Sequence, residues 1–162
     1  MDWMLSDVVK AVGGQLLGPD LPVRGVSTDT RAIAAGQLFI ALVGERFDAH
    51  DFLAQAASTG ARAMLISRPE AAPEGVSAVY VSDTRIALGQ LAAAWRACFT
   101  LPVIAVTGSN GKTTTKEMIA AILKAAFGDA VLATRGNLNN DIGLPLTLLG
   151  LEARHRAAVI EM

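Results

Sequence analysis

At 162 residues the chain has the length of about one domain, and with 52% hydrophobic residues it can bury a substantial core. A net charge of −1 with 18% charged residues argues against a general nucleic-acid binder, which carries a basic excess. No apolar run reaches the length of a membrane span, Met1-Asp2-Trp3-Met4 lacks the basic-then-apolar order of a secretory signal, and the single Cys98 can form no internal disulfide, so a cytoplasmic protein is expected.

In chain order, residues 5–12 predict a short helix with Ser6 as its cap and Gly13-Gly14 as its stop. Residues 23–27 and 38–43 read as strands. Residues 48–59 read as a helix, with Phe52, Leu53, Ala56 and Ala57 apolar and Gly60 ending it. Residues 63–67 and 78–81 are further short strands, separated by a loop rich in proline and glutamate. Asp83 caps a long helix to about Phe99, whose stripe Leu88, Leu91, Ala92, Trp95 and Phe99 has core spacing; Cys98 falls in the same pattern and reads as a small core residue. After Leu101-Pro102 comes a strand over 103–106 and a helix over 112–127, with Ile119, Ile122, Leu123 and Ala126 on one face. A strand over 131–133, a helix with Pro145 in its first turn and an apolar strand over 157–161 follow.

This order predicts an α/β protein with two regions. Residues 1–82 form a small α/β unit. Residues 83–162 begin a larger, mainly parallel unit of the phosphate-loop type. A nucleotide domain would normally continue with more strands and helices, so an N-terminal piece of a longer protein, or a truncated reading frame, is expected.

The most informative stretch is Val103-Ile104-Ala105-Val106-Thr107-Gly108-Ser109-Asn110-Gly111-Lys112-Thr113-Thr114. It reads as strand, glycine-bounded turn and helix start. Glycines let backbone N–H groups face an anion, and the helix start adds partial positive charge. Lys112 supplies a point charge for outer phosphates and Thr113 a hydroxyl for Mg²⁺. The loop is a variant: Val106 stands where the usual pattern has its first glycine, and Gly108 replaces that glycine two residues later. Glu161 ends an apolar strand, where a carboxylate can hold Mg²⁺ opposite Thr113.

The segment Gly136-Asn137-Leu138-Asn139-Asn140-Asp141-Ile142-Gly143-Leu144-Pro145 is dense in amides. Caps and turns account for one or two of them; the rest suggest a ligand-facing loop. Ser27-Thr28-Asp29-Thr30-Arg31 could donate to a diphosphate, although a capped turn explains it as well. In Gly44-Glu45-Arg46-Phe47-Asp48-Ala49-His50-Asp51-Phe52, Phe47 could stack on a base or plug the core. His50 and His155 lack partners at metal-ligand spacing and read as surface or structural residues.

Together these segments resemble the Mur ligases, which build the peptide stem of bacterial cell-wall precursors. Residues 107–114 are similar to their ATP loop. The segments around Thr28, Phe47 and Asn139 narrow the likeness to the dipeptide-adding type, and the resemblance runs through almost the whole chain. It implies a first domain that holds the UDP end of the precursor, a central ATP-binding domain and a C-terminal domain beyond this sequence. The implied reaction joins D-alanyl-D-alanine to UDP-N-acetylmuramoyl-tripeptide through an acyl phosphate, with ATP and Mg²⁺, in peptidoglycan synthesis.

On this resemblance Lys112 and Glu161 are catalytic. Gly108, Ser109, Asn110, Gly111, Lys112, Thr113 and Thr114 bind ATP, and Thr113 and Glu161 bind metal. Asn139, Asn140 and Asp141 lie near substrate, while Thr28, Thr30, Arg31, Glu45, Arg46 and Phe47 align with the loops that hold uridine diphosphate. A second-magnesium lysine, a histidine and the nucleobase-holding region are expected beyond Met162, so this stretch alone is expected to be inactive. A monomer with no nucleic-acid or membrane partner is expected. A ligase adding the third stem residue, another amide ligase such as folylpolyglutamate synthase, and a non-catalytic precursor-binding module remain alternatives.

Overall fold

Short apolar runs bounded by glycine and polar turns build the sheets of two units, Met1–Leu91 and Ala92–Met162. The computed structural model describes residues 1–45 and 47–162; the expected role of Arg46 lies outside the described residues.

The first unit contains β1 (Asp2–Met4), α1 (Leu5–Val12), β2 (Gln15–Leu17), β3 (Pro22–Arg24), β4 (Val26–Ser27), β5 (Leu38–Ile40), a 3-10 turn (Ala49–Phe52), α2 (Leu53–Thr59), β6 (Ala63–Ile66) and β7 (Ala78–Tyr80). Its sheet has the order β2-β7-β6-β5-β4, parallel except for β2 at one edge. Strands β5 and β6 are buried along their whole length, which explains why Leu38-Phe39-Ile40 and Ala63-Met64-Leu65-Ile66 are continuously apolar rather than alternating. Phe39, Met64, Ile66, Leu53 and Ala56 pack into one cluster, tying α2 to the sheet.

Several local expectations change: the strand expected over 38–43 ends at Ile40, and the helix expected over 48–59 divides into the 3-10 turn and α2. The strand expected over 23–27 breaks at Gly25, whose φ of 77° suits only glycine; β3 pairs with β1 while β4 joins the five-stranded sheet. Ser6 is not the cap of α1. It lies inside the first turn and gives its N–H to Asp20, while the Asp7 carboxylate takes the N–H of Met4.

Helix α3 (Thr84–Ala97) straddles the division between the units, whereas the expected boundary at 82/83 precedes it. The Asp83 carboxylate caps it by accepting the N–H groups of Arg85 and Ile86. Trp95 and Phe99 pack edge to face and belong to a core with Leu151, Ala158 and Ile160, and Trp95 Nε1 donates to Leu151 O. Cys98 is exposed, against expectation: the helix ends at Ala97, so the helical stripe no longer sets its direction.

The second unit continues with β8 (Val103–Val106), α4 (Lys112–Phe127), β9 (Val131–Ala133), α5 (Gly143–Leu149) and β10 (Ala157–Glu161). Its three strands are parallel in the order β8-β10-β9, and every residue of the central β10 is buried. The buried side of α4 is the expected one only in part. Lys116 and Ala120 are buried, and Ile119 and Leu123 pack on Val106 and Val159, but Ile122 is 69% exposed. Ile122 stands two residues after Ala120, about 200° round the helix, and so points away from the sheet. Ala126, in the last turn of the helix, is exposed as well. Among the described residues no helix is long and apolar enough to cross a membrane.

Candidate functional site

The parallel sheet of the second unit brings the carboxyl ends of β8 and β10 side by side. Glu161 is in register with Val106, and Met162 N–H donates to Val106 O. The chain leaves β8 at Thr107 and makes a turn in which Gly108 (φ 148°) and Gly111 (φ 74°) both have positive φ. Only glycine takes these angles without strain, and Gly111 is the residue that leads into α4. Residues 107–111 are exposed. The first N–H groups of α4 have no partner within the helix, so its start could receive an anion. Lys112 Nζ folds back to donate to Gly108 O at 2.8 Å, which places the ammonium over the loop it would serve.

Thr113 Oγ1 donates to Glu161 Oε1 at 3.1 Å, and Asn139 Nδ2 donates to the same oxygen at 2.9 Å. The other oxygen, Glu161 Oε2, is buried without a hydrogen-bond partner, in a residue only 2% exposed. A buried carboxylate oxygen with nothing to bind is costly. A hydroxyl beside an orphaned carboxylate oxygen is a hard-oxygen donor set that suits Mg²⁺, which is usually held by one or two carboxylates, waters and substrate phosphates. Among the described residues no group of three or more His, Cys, Asp or Glu could hold a metal by itself.

The amide-rich loop divides its work. Asn139 reaches Glu161, while Asn140 Oδ1 caps α5 by accepting the N–H groups of Ile142 and Gly143. The loop is pressed against the helix start: a Cβ on Gly143 would lie 2.6 Å from Leu138 Cα. Asp141 is exposed at the head of α5.

In the first unit, Thr28, Asp29, Thr30 and Arg31 line a cleft of about 510 Å³ with Phe39, Phe47, Phe52 and Gln55. Phe47 is 58% exposed and stacks on Phe52 at 5.1 Å between centroids, so it forms a wall of the cleft and does not plug the core. Glu45 is exposed and is not among the residues lining this cleft. Arg31 grips Asp29 through Nε and an Nη at 2.9 and 2.8 Å, and hydrogen bonds from its side chain and N–H hold the pKa of the Asp29 carboxyl at about 2.

Both histidines are structural. His50 is buried, its Nδ1 bonds Asp48 Oδ1 at 2.6 Å and its Nε2 accepts the N–H of Ser67 at 2.9 Å, which fixes the Nδ1–H tautomer and leaves no free lone pair. Burial opposes ionisation of Asp48, but the His50 N–H and ring bonds outweigh it, and its carboxyl lies below the usual range. His155 Nδ1 accepts the N–H of Glu152. Sequence reading missed Lys116 and Thr134, which lie behind Glu161: Lys116 Nζ donates to Thr134 O at 3.0 Å, and Glu161 N–H donates to Thr134 Oγ1 at 2.9 Å. The available signal for Lys116 was its helical spacing, three residues from Thr113 and four from Lys112.

Residues 22–96 match the Mur ligase family catalytic domain, and residues 106–162 match the Mur ligase middle domain. The UDP-N-acetylmuramoyl-tripeptide–D-alanyl-D-alanine ligase of Escherichia coli is 49% identical over 158 residues, which are 98% of this chain and 34% of that protein. A crystal structure of MurF from Acinetobacter baumannii superposes with a TM-score of 0.91 at 42% identity over 100% of this chain and 36% of that one. The MurF ligase from Thermotoga maritima, solved in complex with ADP, gives a TM-score of 0.75 at 34% identity over 86% of this chain and 32% of that one. The chain spans about a third of the length of the curated relatives it matches.

Proposed function

Because the chain belongs to the Mur ligase family, we propose that it serves an ATP-dependent ligase adding D-alanyl-D-alanine to UDP-N-acetylmuramoyl-tripeptide in the cytoplasm. In this reading residues 1–82 hold the UDP end of the precursor and residues 83–162 begin the ATP-binding domain. One observation carries it: a hydroxyl and a carboxylate 3.1 Å apart at the mouth of a glycine turn, with one carboxylate oxygen buried and unpartnered.

The proposed reaction has the precursor carboxylate attack the γ-phosphate of ATP, giving an acyl phosphate and ADP. The dipeptide amine then displaces phosphate and forms the amide. Both first reactants are anions, so positive groups must offset their repulsion. Lys112 leaves Gly108 O for the outer phosphate oxygens. N–H groups from Gly108, Ser109, Asn110, Gly111 and Thr114 cradle the polyphosphate. Thr113 and Glu161 would hold Mg²⁺, which when bound neutralises phosphate charge. Asn139 keeps Glu161 turned toward Thr113, and Asn140 and Asp141 hold the loop that faces the substrate. In the first unit, Thr28, Thr30 and Arg31 donate to the diphosphate, and the exposed ring of Phe47 offers a stacking face for uracil.

Calorimetric titration of the protein with ATP, with and without Mg²⁺, tests the phosphate reading. Binding that strengthens with Mg²⁺ is expected. Metal-independent binding, or none, would remove it.

A further inference from the structure

We propose that Lys116 is a positioning residue for the carboxylate of Glu161, acting through Thr134; the inference rests on the metal–phosphate reading of that site. Lys116 is 1% exposed, the only buried lysine among the described residues. A buried ammonium costs stability unless it is paired, and an apolar side chain would fill the same space more cheaply. Its partners show what it does instead. Nζ donates to Thr134 O at 3.0 Å and to Glu117 Oε1 at 2.5 Å, and the Glu117 carboxylate is itself 65% exposed.

Thr134 is therefore held at three atoms. Its N–H donates to Val159 O, its carbonyl accepts from Lys116, and its hydroxyl accepts the N–H of Glu161. The last bond fixes the main chain of Glu161 at the end of β10. Lys116 and Thr113 are one turn apart on α4, so the helix that carries the metal-binding hydroxyl also braces, through Thr134, the strand end that carries the metal-binding carboxylate. Partners one bond removed from a metal ligand set its orientation and hence its affinity.

The measurement is the Mn²⁺ concentration that half-saturates metal-dependent ATP binding by the protein, with metal-free ATP affinity measured alongside. Lys116→Met keeps the buried stem and removes the ammonium. It is expected to raise the Mn²⁺ requirement by on the order of tenfold and to leave metal-free affinity unchanged. Lys116→Arg, which keeps a donor for Thr134 O, restores most of the loss. Thr134→Val reproduces the shift, and the double variant goes no further, because both changes cut one chain of contacts. Thr134→Val also carries the test if Lys116→Met does not fold. An unchanged Mn²⁺ requirement in a folded variant overturns the proposal, as does an equal loss of affinity with and without metal. Absence of ATP binding by the unsubstituted protein would overturn the phosphate reading itself, and this proposal with it.

Discussion

The Lys112 side chain donates one hydrogen bond, to Gly108 O, and the residue is only partly buried. Lys112→Ala is therefore expected to leave stability within about 0.5 kcal/mol, as for a typical surface change. The same substitution should weaken ATP binding by roughly ten- to a hundredfold, the worth of about 1.5–3 kcal/mol for a hydrogen bond to a charged group. Calorimetry alongside thermal melts separates the two effects. Glu161→Gln removes a buried charge that has one orphaned oxygen. It should abolish the Mg²⁺ dependence of ATP binding without lowering the thermal midpoint; a marked drop in the midpoint would mean that the carboxylate is there for the fold.

His155 shows the opposite kind of residue, one whose ionisation the fold resists. Burial first, and then the charge of Arg154, push its pKa below 6.5. As the pH falls below 6.5 the unfolded chain takes up protons before the folded one. The contribution to stability is thus complete above 6.5 and is lost as the pH falls through the folded-state value. An NMR titration of the His155 ring should have its midpoint below 6.5, and a midpoint above it would contradict the burial argument.

At the scale of elements, the position of Asn139 depends on how closely its loop approaches α5. Gly143→Ala would place a methyl 2.6 Å from Leu138 Cα, backbone that cannot swing aside as a side chain can. The substitution is expected to cost about 1–3 kcal/mol, as overpacking does, and to separate Asn139 from Glu161. A denaturant midpoint equal to that of the unsubstituted chain would show that the loop has room. The apolar periodicity located α1, α4, β9 and β10 with the bounds observed. It misjudged part of the buried side of α4, because spacing identifies a stripe while the sheet selects which stripe is covered. With Lys116 counted as a core position, the stripe 116, 119, 120 and 123 is continuous and Ile122 falls outside it.

Across the whole molecule the proposed ligands separate by unit. UDP should shift NMR signals of Met1–Leu91, centred on Thr28, Arg31 and Phe47. ATP with Mg²⁺ should shift those of Ala92–Met162, centred on residues 107–113. UDP shifts concentrated on the glycine turn would undo the assignment of the cleft.

The glycine turn with its lysine and threonine was readable along the chain because strand, turn and helix start are contiguous, and each piece of a phosphate cradle is a neighbour of the next. Glu161 could be suspected for a similar local reason, its place at the end of an apolar strand. That position also predicts a place opposite Thr113 across a metal, but the hydrogen bonds that join Glu161 to its neighbours could not be read in this way. Thr113 is 48 residues away, Asn139 is 22 away, and Lys116 and Thr134 are 18 apart. Parallel strands with helical crossovers bring distant carboxyl ends to one edge, and no local pattern specifies which side chains then meet. Folding likewise left one oxygen of Glu161 without a partner, since burial and hydrogen-bond satisfaction arise only when the elements pack.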